Sequence, residues 1–149
     1  MKVIFLDVDG VLNNADWSVR MMKEEGVNTY SEDLLCEKSM RCLAQIVKAT
    51  DAKIVVSSTW RFDRTAMSHL AEQLEAHGME IYDVTPHIGI RGQDIDIWLM
   101  DNDDVDGFVV LDDDTDMEPQ AGHLVQTTWE YGLCPEHIDL AINVINGGR

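Results

Sequence analysis

The sequence predicts a doubly wound α/β domain built on a parallel sheet of about five strands, and three observations carry that prediction. Short apolar runs (Val3 to Leu6, Lys53 to Ser57, Phe108 to Leu111) alternate with longer stretches of helical periodicity. The runs are continuous rather than alternating, as suits strands covered on both faces. Polar residues collect where the runs stop: Asp7 and Asp9, Ser57 and Ser58, Asp112 and Asp113.

Lys2 to Asp7 reads as a buried first strand, and Asp9-Gly10 as the turn that ends it. Residues 11–30 are mixed in character, with Asn13, Asn14 and Gly26, and read as a flap or irregular loop. Ser31 to Thr50 reads as a helix with Ser31 as N-cap and Leu35, Leu43, Ile46 and Val47 near one face. Lys53 to Ser57 is a second strand. Asp63 caps a helix to His77, with Met67, Leu70, Ala71 and Leu74 as its stripe and Gly78 as its stop. Glu80 to Val84 is a third strand, Gln93 to Met100 a short helix, Phe108 to Leu111 a fourth strand and His123 to Gln126 a fifth. Pro135 suits the first turn of a last helix, whose apolar face is Ile138, Ala141, Ile142 and Ile145. Strand then helix, repeated, gives a Rossmann-like order.

A chain of 149 residues suits one domain, residues 1–149, and its 45% apolar content is enough for a core. No apolar run approaches the ~20 residues that span a bilayer. The N-terminus enters a strand directly, so no signal peptide is expected. Cys36, Cys42 and Cys134 lack metal-ligand spacing and read as reduced thiols of a cytoplasmic protein. The net charge of -17 argues against a general nucleic-acid or membrane binder. It leaves room for an enzyme that meets one phosphate through a cation. No feature of the sequence specifies an oligomeric state.

The strand ends carry the chemistry. In open parallel sheets ligands bind beyond the carboxyl ends of the strands. Asp7 and Asp9, two apart at such an end, can face one pocket, and Gly10 lets the chain turn beside them. Asp112 and Asp113 end another strand. Carboxylates so gathered repel one another, and a hard divalent cation such as Mg2+ is their natural neutraliser. Ser57 and Ser58 offer hydroxyls for a phosphate. Arg91 would offset the carboxylates and steady a phosphoryl group. Trp60 and Arg61 follow the serines, where they either stack on a base or sugar or anchor the turn.

These motifs, in this order, resemble the haloacid dehalogenase (HAD) superfamily of phosphatases. Phe5-Leu6-Asp7-Val8-Asp9-Gly10-Val11-Leu12 is similar to its DxDG motif, Ile54-Val55-Val56-Ser57 to the second, Arg91 to the third, and Val109-Val110-Leu111-Asp112-Asp113 to the acidic fourth. The segments SSTWR, RGQDIDIWL and VVLDDDTDM look like the small HAD domains of RNA-repair proteins. Val11 stands where Thr is more usual, and Arg91 where Lys is commoner.

The resemblance implies an Mg2+-dependent phosphomonoesterase with a minimal cap or none, Asp7 as nucleophile and Asp9 as general acid and base. The metal would be held by Asp7, the Asp9 carbonyl and Asp113, with Asp112 as the competing ligand and Asp116 behind. Ser57 and Arg91 would hold the phosphoryl oxygens, and Ser58, Arg61 and Gly10 would contact substrate. The expected substrate is a nucleotide or other phosphorylated small molecule, or a nucleic-acid end.

Two competing functions fit the sequence less well. A receiver domain would place its acceptor Asp after the third strand and a Lys after the fifth, whereas no Lys follows Lys53. A non-catalytic phosphate- or partner-binding relative would have no need of Asp9. An EF-hand-like spacing from Asn102 to Asp113 would swallow the run Phe108 to Leu111, which reads better as a strand.

Overall fold

The computed structural model of the chain describes residues 1–26 and 35–147. Five strands, β1 (Lys2–Leu6), β2 (Lys53–Val56), β3 (Ile81–Val84), β4 (Gly107–Asp112) and β5 (Leu124–Gln126), form one sheet in the order β3-β2-β1-β4-β5. Every pairing is parallel. The helices are α1 (Ala15–Glu25), α2 (Glu37–Thr50), α3 (Arg64–Glu75), α4 (Arg91–Met100) and α5 (Glu136–Ile145). This is the predicted doubly wound α/β arrangement.

The pleat divides the core in two. Ile4, Leu6, Ile54, Val56, Val109 and Leu111 face α2, α3 and α5, through Leu43, Ile46, Leu70, Leu74, Ala141 and Ile145. Val3, Phe5, Val55 and Val110 face α4, through Ile95 and Trp98. Both faces of the central strands are thus covered, which is why their sequences run apolar without alternation. Phe5 is fully buried and packs edge-on against Trp98 (5.4 Å between centroids) and Phe108 (5.7 Å).

Several boundaries differ from the sequence reading. The stretch expected to be irregular contains α1. Asn14 caps it by accepting from the Trp17 N–H at 2.8 Å, and Gly26 ends it at φ 64°. The helix is hard to read because none of its residues is buried, so no apolar stripe marks it. The helix expected from Ser31 is described from Glu37, and the Ser31 cap lies outside the described residues. Asp63 caps α3 as expected, accepting from Thr65 and Ala66. Helix α4 begins at Arg91 rather than Gln93, and Pro135 is the N-cap of α5 rather than part of its first turn. No described helix is long and apolar enough to cross a membrane.

Truncating Phe5→Ala should cost about 3–5 kcal/mol, because it removes a fully enclosed ring and leaves a cavity. A fall of that size in unfolding free energy, at unchanged denaturant slope, would confirm the packing; a change below about 1 kcal/mol would contradict it.

Candidate functional site

The pleat that sorts the core also assembles the site. Phe5 pairs in register with Val55 on one side and Val110 on the other. Side chains two residues further along point to the same face. Asp7, Ser57 and Asp112 therefore form a row at the carboxyl edge of three adjacent strands, on the α4 side of the sheet. The backbone ladder continues into the row: Asp7 N–H donates to Leu111 O and Ser57 N–H to Leu6 O, both at 3.0 Å. Strand β1 has β2 on one side and β4 on the other, so the row crosses the switch point where doubly wound sheets bind ligands.

Carboxylate oxygens of Asp7, Asp112 and Asp113 all lie within 4.8 Å of one another. Arg91, at the start of α4, reaches across them. Its Nη1 is 2.5 Å from Asp112 Oδ2 and 3.2 Å from Asp7 Oδ2. The acids nearest Arg91 in sequence have other partners: Asp94 pairs with Arg61, and Asp96 accepts from Gln120. Asp112 is fully buried, and both of its oxygens have protein donors, Oδ2 from Arg91 and Oδ1 from the Asp114 N–H at 3.0 Å.

Electrostatics follow from this crowding. Burial pushes the Asp7 carboxyl up to about 8, the Asp112 and Asp113 carboxylates add to the rise, and Arg91 opposes it. Burial, then Asp112, likewise raises Asp113. Burial works against the Arg91 charge, but the carboxylates of Asp7 and Asp112 outweigh it and raise its pKa overall. Three acids against one guanidinium leave an excess of negative charge in a nearly dry site. An all-oxygen donor set of this size suits a hard divalent cation such as Mg2+. Gly10 is shaped around it: a Cβ there would fall 2.3 Å from Asp113 Oδ2, and φ is +79°.

Asp9 stands beside this cluster. Its Oδ1 accepts from Asn13 Nδ2 (2.8 Å) and from the indole N–H of Trp60 (3.2 Å). Neither positioning residue was expected from the sequence. Asn13 lies in the stretch that reads as irregular, and the sequence offers Trp60 either a stacking or an anchoring role. Trp60 is buried, which settles it as an anchor. Ser57 Oγ is buried with no hydrogen-bond partner, as is Asp116 Oδ1. A buried hydroxyl without a partner is uncommon, and this one lies at the end of the row.

Three expected substrate contacts, Arg61, Ser58 and Gly10, are engaged within the protein. Arg61 is almost fully enclosed, and all five of its N–H donors are used. Nε donates to Thr85 O (3.0 Å), Nη1 to Ser57 O (2.9 Å) and Ser58 O (2.7 Å), and Nη2 to Pro86 O (3.2 Å) and Asp94 Oδ2 (3.4 Å). It ties together the ends of β2, β3 and α4. Ser58 Oγ accepts from the Trp60 N–H at 3.1 Å, as the cap of a single 3₁₀ turn, Thr59–Phe62. Gly10 N–H donates to Asn13 Oδ1 (3.0 Å), and Gly10 O accepts from Thr127 Oγ1 (2.6 Å). The sequence shows residue types but not how many of their donors neighbouring carbonyls will claim.

Two outcomes test this geometry. Arg61→Lys keeps the charge but can make at most three of the five bonds, and should lower stability by about 2–4 kcal/mol because buried carbonyls lose their donors. Equilibrium denaturation reads this directly, and a neutral result would refute the rivet. The second concerns pH. Asp7 holds its proton more tightly folded than unfolded, so its ionisation destabilises the fold as pH rises from 3.8 to about 8. In metal-free buffer Asp7→Asn should match wild type at the acid end of that window. It should be more stable by a few kcal/mol at the upper end. Parallel stability curves for the two proteins would exclude a buried, crowded carboxyl.

Comparison with known proteins identifies a family for the chain. The family described as the HAD domain in Swiss Army Knife RNA repair proteins matches residues 3–138. No curated protein and no solved structure matches the chain. The matched span runs from β1 through the first residues of α5 and includes every strand and the whole carboxylate row. The chain therefore belongs to the HAD domains of Swiss Army Knife RNA repair proteins, as a phosphatase-like HAD domain.

Proposed function

We propose that this protein is a cytoplasmic, Mg2+-dependent phosphomonoesterase that works through an aspartyl-phosphate on Asp7, with a nucleotide or nucleic-acid end as substrate. The observation that carries the proposal is the meeting of Asp7, Asp112 and Asp113 within 4.8 Å under Arg91, next to the unpartnered Ser57 hydroxyl. Asp7, Asp113 and the carbonyl of Asp9 would hold the cation. Asp112 is the poorer ligand because both its oxygens are already bonded. When bound, Mg2+ supplies positive charge to the carboxylates and to the phosphoryl oxygens.

An Asp7 oxygen attacks phosphorus in line with the leaving oxygen, and the bond to that oxygen breaks. Asp9 gives the leaving oxygen its proton. Asn13 and Trp60 both bond Oδ1 of Asp9, so Oδ2 is the atom assigned to the proton. In the second half Asp9 takes a proton from water, whose oxygen attacks the aspartyl-phosphate. Inorganic phosphate leaves and Asp7 returns to a carboxylate. Ser57 Oγ and Arg91 stabilise charge on the phosphoryl oxygens in both halves. Arg91 starts bonded to Asp7 and Asp112, so it is already placed where that charge develops.

The test is magnesium-dependent release of phosphate from p-nitrophenyl phosphate and from nucleoside monophosphates. Asp7→Asn should lower kcat by about 1,000-fold or more, since it removes the nucleophile. Asp9→Asn should instead slow the second half and leave a hydroxylamine-labile phosphoenzyme in acid-quenched samples. Wild-type turnover by Asp7→Asn would sink the nucleophile. Full activity in excess chelator would sink the metal.

A further inference from the structure

The structure assigns a second role at the rim of the site, to a residue outside the family motifs. Phe62 ends the 3₁₀ turn that starts immediately after Ser58, and it is 58% exposed. Its inner side is held by the guanidinium of Arg61, whose Cζ lies 4.4 Å from the ring centroid. That guanidinium is itself fixed by its five hydrogen bonds, so the ring rests on an immobile base. His87 stands against Phe62 at 5.1 Å between centroids and 66° between planes, and forms a wall. Beyond it Ile88 is 67% exposed and Ile90 45%. Their loop is pinned from within, because Asp94 Oδ1 accepts the Ile88 and Gly89 N–H groups at 2.7 and 3.0 Å. Ile90 directly precedes Arg91. The patch therefore lies between the two segments that bring Ser57 and Arg91 to the carboxylate row.

Charge singles out the same place. On a chain of net charge -17, residues 53–62 and 84–93 contain no Asp or Glu. At the site end they carry Arg61, His87 and Arg91. These are the two segments that meet at the patch. An anionic ligand with a flat apolar part finds here a half-exposed aromatic ring on a rigid support, with carboxylates only at the segment ends, Asp63 and Asp83, and in the buried Asp94. A rigid ring loses little freedom when something stacks on it, and a guanidinium beneath it adds a cation–π contact.

We propose that Phe62, walled by His87 and flanked by Ile88 and Ile90, is the stacking platform for the nucleobase of a substrate whose phosphate sits at Asp7. This rests on the phosphatase reading above and adds a specificity residue to it. The base stacks outside the site, so its identity is read by shape and π-face rather than by hydrogen bonds.

The experiment compares wild type, Phe62→Ala and Phe62→Trp on adenosine monophosphate, on a short oligoadenylate with a terminal phosphate, and on glycerol phosphate, which has no ring. For Phe62→Ala the ratio of kcat/KM on either adenine substrate to that on glycerol phosphate should fall about ten-fold, as expected for one lost base stack. The loss should appear in KM rather than kcat, and Phe62→Trp should restore it. Whichever adenine substrate loses more identifies the source, free nucleotide or strand end. An unchanged ratio overturns the platform, and so does a phosphotyrosine peptide that outperforms both adenine substrates and loses as much. If wild type hydrolyses none of these esters, the phosphatase reading has failed separately. Equilibrium binding of adenosine monophosphate, ten-fold tighter to wild type than to Phe62→Ala, then reads the platform alone.

Discussion

Arg91 sits between Asp7 and Asp112, and much of the site's geometry depends on that bridge. Two carboxylates at neighbouring strand ends, each almost wholly buried, would otherwise repel across a medium that screens poorly. The guanidinium lies 2.5 Å from one and 3.2 Å from the other, which holds both side chains on the same face of the sheet. It does not neutralise the third acid, Asp113. Burial is the main cause that raises the Asp7 carboxyl, and the neighbouring Asp112 and Asp113 carboxylates add to the rise. The uncompensated negative charge is what a divalent ion would offset.

A second arginine does different work with the same side-chain chemistry. Arg61 spends every donor on backbone carbonyls and on Asp94, and so joins the ends of β2 and β3 to the first turn of α4. Asp94, through its other oxygen, holds the loop that leads into Arg91. Arg91 is therefore positioned by a chain of buried contacts that begins at Ser57. Gly92, next in sequence, lets the loop over α4 approach closely: a Cβ there would meet Glu118 O at 2.4 Å. What separates the two arginines is local carbonyl density, since one is surrounded by strand-end backbone and the other by carboxylates.

The acidic balance of the chain and its membership of an RNA-repair family are compatible once charge is located rather than summed. Acids concentrate in residues 101–106 and 112–118, while the β2 and β3 rim carries none between Lys53 and Phe62 or between Val84 and Gln93. Net charge governs long-range attraction, whereas the local surface governs what can dock.

The sequence alone determined the fold class and the order of the strands' polar ends. Short, β-branched apolar runs that end in turn residues read as strands buried on both faces, and such strands need helices on either side. Asp7, Asp9, Ser57, Arg91, Asp112 and Asp113 were legible for the same reason, as strand-end or loop polar residues in a fixed order. Helix α1 was not legible, because none of its residues is buried and burial is what writes periodicity into a sequence. Only the tertiary structure could show that Trp60 and Asn13 hold Asp9, that Arg61 has no donor to spare, and that Ser58 is a cap. Those facts depend on which backbone carbonyls and side chains end up within about 3 Å. That is decided by strand register and crossover geometry, which bring together residues dozens of positions apart.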